Sequence, residues 1–128
     1  MKTTAILAIG ISALALPALA EGQLNLYNWG DYTSPEMIKK FEDQTGIDVT
    51  ITDYDSNDTS MAKVSAGGHG FDLIVPSHNY LQIFVQKGLL AELDHARLKN
   101  FGNIDPKWVD VPWDQGRTHS IPWLWGTV

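Results

Sequence analysis

The sequence contains no cysteine, so neither disulfides nor thiolate-bound metals can stabilise this fold. Basic residues are also few: nine Lys and Arg stand against fifteen Asp and Glu, for a formal net charge of −6. Because those nine residues are scattered along the chain, the sequence lacks the basic cluster typical of nucleic-acid-binding surfaces. The fold must depend on packing, and nucleic acid is not expected as a partner.

Catalytic and metal-binding motifs are missing as well. The histidines have none of the spacings typical of a metal site; they are His69, His78, His95 and His119. No G-x-S-x-G elbow surrounds Ser77, and the glycines at 67–70 precede a strand instead of linking a strand to a helix, which disfavours a phosphate loop. We therefore predict a protein that is not an enzyme and that has no cofactor and no metal site.

What the sequence does have begins with a secretory signal. Lys2 precedes an apolar run from Ala5 to Leu16, and Ala18-Leu19-Ala20 is a small-x-small cleavage site. The run is shorter than the ~20 residues that span a bilayer, which disfavours the alternative of an amino-terminal membrane anchor. We predict that residues 1–20 are a signal peptide, and that residues 21–128 are located in the periplasm and are not inserted in the membrane.

Strand-like and helix-like segments then alternate along the chain. Apolar and polar residues alternate over 24–28 and 47–51, which predicts two strands, and the apolar run Phe71–Val75 predicts a third strand that is central in its sheet and covered on both faces. A helix is predicted after each strand. The first helix starts at the hydroxyl and Pro residues of 33–36, and the second starts at the turn 55–58. The third contains the apolar residues of 80–85 on one face. Three β-α repeats predict an α/β fold with an open parallel or mixed sheet flanked by helices.

The remaining residues are less regular. Pro, Gly, Asn and Asp recur over 89–114, which predicts a long surface connection with short helical turns. Residues 121–125 are predicted to form a further strand or a strand-like edge. Because the chain stops just after this segment without a cap or polar tail, we expect it to be the front portion of a larger protein.

Candidate site residues follow from the sheet. Ligands of open α/β sheets bind beyond the carboxyl ends of the strands, where this sequence places residues 28–32, 76–79 and 123–126. These segments combine aromatic rings, a carboxylate and a hydroxyl. A ring face attracts an ammonium group, and a desolvated ammonium needs a carboxylate partner. The mixture suits an organic cation; alternatively, the rings belong to the core or its rim and Asp31 is a solvated turn residue.

Five ordered motifs carry a resemblance to a known family. They are Leu26–Tyr32, Phe41–Gly46, Tyr54–Asn57, Gly70–Ser77 and Ile121–Gly126. Together they resemble the periplasmic polyamine-binding proteins of ABC importers, the spermidine and putrescine type, over residues 23–128. The resemblance implies a type II solute-binding fold whose two lobes close on a polyamine and deliver it to a membrane permease. Residues 21–128 would then be an incomplete amino-terminal lobe.

The resemblance also implies roles for individual residues. Ligand contacts are assigned to Trp29, Asp31, Tyr32 and Ser77. Supporting positions in the pocket are assigned to Gly30, His78 and Trp125. Gly30 stands where the family often has Ser or Thr, and His78 stands where selectivity among amines varies. Two other functions remain open: a partial lobe that serves as an interaction or sensing module, and a solute-binding protein for a different small ligand.

Overall fold

The computed structural model describes residues 22–126, and the predicted signal peptide lies outside them. Three parallel strands form one sheet in the order β2-β1-β3. They are β1 (Gly22–Trp29), β2 (Ile47–Tyr54) and β3 (Leu73–Ile74). Each strand is followed by a helix, so the predicted α/β fold with an open parallel sheet is confirmed.

The helices are α1 (Pro35–Thr45), α2 (Asn57–Ser65) and α3 (His78–Gln86). The side chain of Ser34 caps α1 by accepting the Met37 amide at 3.2 Å, and Gly46 ends the helix with a φ of 69°. Ser56 caps α2 in the same way, accepting the Thr59 amide at 3.1 Å. The predicted helix starts are thus confirmed. No helix within residues 22–126 has the length and apolar character needed to cross a bilayer.

One face of the sheet contains the core. Tyr27 and Tyr54 on neighbouring strands pack with Val64 of α2 and with Phe84 of α3, which is fully buried. Phe71 stacks on the Tyr27 ring with 4.2 Å between centroids. Burying a side chain such as Phe84 contributes about 1.5–3 kcal/mol. This core fixes the positions of β1, β2, α2 and α3, and therefore the positions of the loops at the carboxyl ends of the strands.

The opposite face is less covered, and here a prediction was wrong. Residues 71–75 were expected to form a central strand covered on both faces, but among the described strands β1 is central and β3 is at the edge. The side chain of Leu73 is 51% exposed, and Met37 and Phe41 of α1 are 46% and 37% exposed. Of this run, Phe71 and Ile74 pack against the core, so the run is covered only in part.

The long connection is confirmed, with short 3₁₀ turns at His95–Arg97, Phe101–Asn103, Pro106–Trp108 and Gln115–Arg117. Its last part is organised by a buried carboxylate. Asp114, 6% exposed, accepts hydrogen bonds from the hydroxyls of Ser120 at 2.7 Å and Thr118 at 2.9 Å. Arg117 is 4% exposed and donates from its Nη1 to the Ser120 hydroxyl at 3.1 Å. These hydrogen bonds connect Asp114 and Arg117 with residues 118–120.

The prediction of a strand at residues 121–125 was wrong. These residues adopt no regular structure, and the described sheet contains only β1, β2 and β3. A strand needs a neighbour to pair its backbone groups, and Pro122 has no N–H to donate. Leu124 and Trp125 are instead 63% and 73% exposed.

Candidate functional site

The carboxyl ends of the three strands meet at the backbone carbonyl of Val75. The indole Nε1 of Trp29 donates to this oxygen at 2.9 Å, and the hydroxyl of Tyr54 donates to it as well. Trp29 ends β1, Tyr54 ends β2, and Val75 follows β3. One acceptor therefore fixes the three loops relative to one another.

Aromatic rings cluster at this point. The Trp29 and Tyr54 centroids are 4.6 Å apart with a 52° angle between the rings, and the Trp29 and Tyr32 centroids are 6.2 Å apart. Tyr54 is buried, Trp29 is half-buried and Tyr32 is 45% exposed. Trp29 thus belongs partly to the core and partly to the surface. Its contacts with Tyr54 and Val75 are structural, and a role of its exposed part in ligand binding stays a prediction.

The first loop is shaped from the inside by Asn28, which is fully buried. Its side-chain amide donates to the Thr33 hydroxyl at 3.0 Å, and its side-chain oxygen accepts the Trp29 amide at 2.8 Å. Between these anchors Asp31 has a φ of 62°, a left-handed conformation that Asp and Asn tolerate better than most residues. Its exposed carboxylate forms no hydrogen bond or ion pair within residues 22–126. The carboxylate is available to a cation from outside.

A cleft of about 240 Å³ opens beside this loop. Its lining consists of Trp29, Asp31, Thr33, Pro35, Ile51 and Asp53. Two carboxylates and an indole therefore border one space. Small-molecule sites usually occupy about 300–1,000 Å³ and enclose most of the ligand. The cleft is smaller than that, so it would cover only one side of a ligand of that size.

Ser77 lies just before α3 and does not line the cleft. It exchanges two hydrogen bonds with Asn57, the first residue of α2: its amide donates to the Asn57 oxygen, and its hydroxyl accepts from the Asn57 amide, each at 3.0 Å. The hydroxyl keeps one lone pair and its own proton for a ligand. Asn57 therefore orients Ser77 without using up its bonding capacity.

The other predicted positions are separated. Gly30 is exposed in the first loop, with open space where a Cβ would stand. His78 starts α3 and its ring lies 4.8 Å from the Trp113 ring. Trp125 lies 6.2 Å from Trp108, and within residues 22–126 it has no other aromatic neighbour. The expected convergence of a third loop on Trp29 is thus not observed.

Sequence reasoning missed Asn57, Asn28 and Trp113. Ligands lie beyond the carboxyl ends of strands, and this rule also applies to β2. Asn57 comes three residues after Tyr54, the last residue of β2, so the rule could have predicted it as a candidate site residue. Asn28 was placed in the loop, although burial of an amide there was not foreseeable from its residue type. Trp113 belongs to the irregular connection, where no hydrophobic periodicity indicates which way a side chain points.

Burial raises the pKa of Tyr54 to about 12, and the nearby Ser60 hydroxyl opposes this. An unfolded Tyr ionises near pH 10, so Tyr54 stabilises the fold fully below about pH 10, and this contribution is lost as the pH rises through about 12. We expect the tyrosinate absorbance of wild type minus Tyr54→Phe to titrate near pH 12 in the folded protein. A difference that titrates near pH 10 would show that the ring is accessible to water.

Within the described residues, His, Asp and Glu form no group of three that could hold a metal ion. The arrangement instead offers an open carboxylate, partly exposed rings and a hydroxyl. Such groups bind by charge and by ring contact.

Comparisons with known proteins bear on this arrangement. The profile of a family described as bacterial extracellular solute-binding protein matches residues 36–128. The putrescine-binding periplasmic protein SpuD of Pseudomonas aeruginosa is 35% identical over 99% of this chain and 35% of its own length. The spermidine/putrescine-binding periplasmic protein of Escherichia coli is 36% identical over 96% of this chain and 36% of its own length. The predicted resemblance is confirmed.

Solved structures agree. A putative spermidine/putrescine ABC transporter protein from Listeria monocytogenes superimposes with a TM-score of 0.79 at 41% identity, covering 81% of this chain and 32% of that one. The substrate-binding protein PotD of Streptococcus pneumoniae gives 0.77 at 35% identity, covering 79% and 31%. The chain spans about a third of the length of these relatives.

Proposed function

The chain belongs to the family of bacterial extracellular solute-binding proteins, and on that premise we propose that it contributes the amino-terminal part of a two-lobed protein that binds a linear polyamine. In this proposal residues 1–20 direct export to the periplasm, and a membrane permease of an ABC importer receives the amine. Relatives named for putrescine and spermidine binding support the ligand class.

The observation that carries the proposal is the open carboxylate of Asp31 beside partly exposed rings. Asp31 and Trp29 border one cleft, and the Trp29 and Tyr32 rings lie 6.2 Å apart. An ammonium group between them would gain an ion pair and a ring contact at once. A Trp face contributes about 0.5–2 kcal/mol to such a contact, more as water is excluded. We propose Trp29, Asp31, Tyr32 and Ser77 as ligand contacts.

The small volume of the cleft supports a second lobe. With one side covered, an ammonium keeps much of its water, and the ion pair with Asp31 stays weak, as exposed pairs do, at about 0–1 kcal/mol. Closure by an opposing surface would remove that water and strengthen both contacts. We therefore expect residues 21–128 alone to bind amines far more weakly than a longer protein that contains them.

A ligand panel tests the proposal. Titration calorimetry on the full-length gene product should show saturable binding of putrescine, cadaverine or spermidine, because two or more ammonium groups can each find a partner. Butylamine, which has the same carbon chain as putrescine and one charge, should bind at least about tenfold more weakly, a difference of about 1.4 kcal/mol. Saturable binding of a sugar or an amino acid instead of any amine would refute the proposal.

A second candidate function is supported by a groove of about 370 Å³ in the irregular connection. Apolar side chains and two cations line it: Leu98, Phe101, Ile104 and Ile121 with Arg97 and Lys99. In a chain of net charge −6, this surface suits an acidic protein segment with an apolar anchor. It would make the chain an interaction module. Arg97→Glu with Lys99→Glu should then impair partner binding, whereas amine binding should be unchanged.

A further inference from the structure

Trp113 lies in a tight turn that the buried Asp114 holds in place. The Asp114 amide donates to the Val111 carbonyl at 3.1 Å, and Pro112 occupies the second position of the turn, where its fixed φ is favourable. Asp114 also accepts the His119 amide at 3.2 Å, in addition to the hydroxyls of Thr118 and Ser120. The side chain that holds this turn is almost fully buried, so the Trp113 backbone is well fixed.

The half-buried Trp113 ring rests on His78. The two ring centroids are 4.8 Å apart with a 45° angle between the rings. His78 is the first residue of α3 and directly follows Ser77, whose hydroxyl Asn57 orients. Trp113, although 35 positions further along the chain than His78, therefore contacts the residue that directly follows a proposed ligand contact.

Trp29 and Trp113 contact the two ends of one short segment, residues 75–78. Trp29 donates to the carbonyl of Val75, and Trp113 contacts the ring of His78. Three Cα–Cα steps separate Val75 from His78, so the Cα atoms of these two residues are at most about 11 Å apart. Ser77 lies between them. The two indoles thus contact opposite ends of a segment that is comparable in length to a short linear diamine.

We propose that Trp113, supported by His78, is a specificity-determining residue of the amine site. It presents an aromatic surface at the Ser77 end for the second ammonium group, while Asp31 and Trp29 bind the first. The fixed positions of the two indoles set the preferred spacing between charges. An amine that matches this spacing contacts both rings, and a longer amine carries its terminal charge past Trp113. This inference rests on the proposed amine-binding function and adds to it the length of the ligand.

The test is the ratio of two dissociation constants in the full-length gene product. We expect Trp113→Ala to weaken putrescine binding roughly tenfold and spermidine binding less than about threefold, which lies within the range of ring–cation contacts. Trp113→Phe should restore most of the preference because it keeps a ring. A loss of stability alone would weaken the binding of both amines equally. The ratio of the two dissociation constants therefore separates an effect on specificity from an effect on folding.

Phe101→Ala is the matched control. Phe101 belongs to the same irregular segment and its ring stacks on His95 with 4.2 Å between the centroids, so its removal should leave both constants within about twofold. If Trp113→Ala does not fold, His78→Ala should shift the ratio in the same direction by removing the support of the ring. An unchanged ratio in His78→Ala and in the folded Trp113 variants would overturn the inference while leaving amine binding intact. Absence of amine binding in the wild type would overturn both.

Discussion

Replacing Trp29 with Ala and Asp31 with Asn together is expected to abolish amine uptake by cells and to weaken amine binding by more than about a hundredfold. Loss of the ring contact removes about 0.5–2 kcal/mol. Leaving an ammonium without its carboxylate in an enclosed site costs a further 2–5 kcal/mol or so. Both residues border the same cleft, so their loss affects the same ammonium group.

The single variant Asp31→Asn separates charge from structure. Asn tolerates the left-handed φ of 62° at this position, and the carboxylate has no partner within residues 22–126, so stability should change by less than about 0.5 kcal/mol. Asp48→Asn is its control, because it removes the same charge from an exposed position near the start of β2, at the opposite end of the strand. Equal losses of binding in the two variants would mean that Asp31 acts only through overall charge.

Asp114→Ala is expected to lower the free energy of unfolding by about 3 kcal/mol. The substitution leaves the hydroxyls of Ser120 and Thr118 without their acceptor, and it removes a negative charge near the buried Arg117. Urea unfolding of the full-length protein, followed by Trp fluorescence, measures the change. Asp110→Ala is the control, since Asp110 is exposed in the same segment. Similar stability of the two variants would show that the network does not stabilise the fold.

The pH dependence of this effect has a definite sign. Burial alone would raise the pKa of Asp114, but hydrogen bonds from Ser120, Thr118 and the His119 amide outweigh burial and leave that pKa below its usual value. The stabilisation is therefore present above the unfolded pKa of about 4 and is lost as the pH falls through the lower folded pKa. The stability difference between wild type and Asp114→Asn should shrink in the same acidic range.

The sequence predicted the elements whose signals are local. Ser34, Pro35 and Gly46 define α1 through capping and backbone conformation, which depend only on neighbouring residues. Parallel pairing of β1 and β2 followed from the β-α order. The first loop was predicted as a ligand-binding segment because strand ends face the ligand crevice in such folds.

Long-range features were not predictable in the same way. The edge position of β3 depends on which strands pair, and an apolar run such as Phe71–Val75 does not distinguish one covered face from two. The segment 121–125 is an apolar run like that of a buried strand, but it has no partner in the described sheet. Trp113 reaches His78 only because Asp114 folds its turn back, and no period in the sequence encodes that contact.

A crystal structure of the full-length gene product with putrescine would show directly whether these residues bind the amine. We expect one ammonium group within hydrogen-bond distance of the Asp31 carboxylate and in contact with the Trp29 ring, with the carbon chain running toward Ser77. A putrescine molecule bound elsewhere, with Asp31 and Trp29 facing only water, would contradict this expectation.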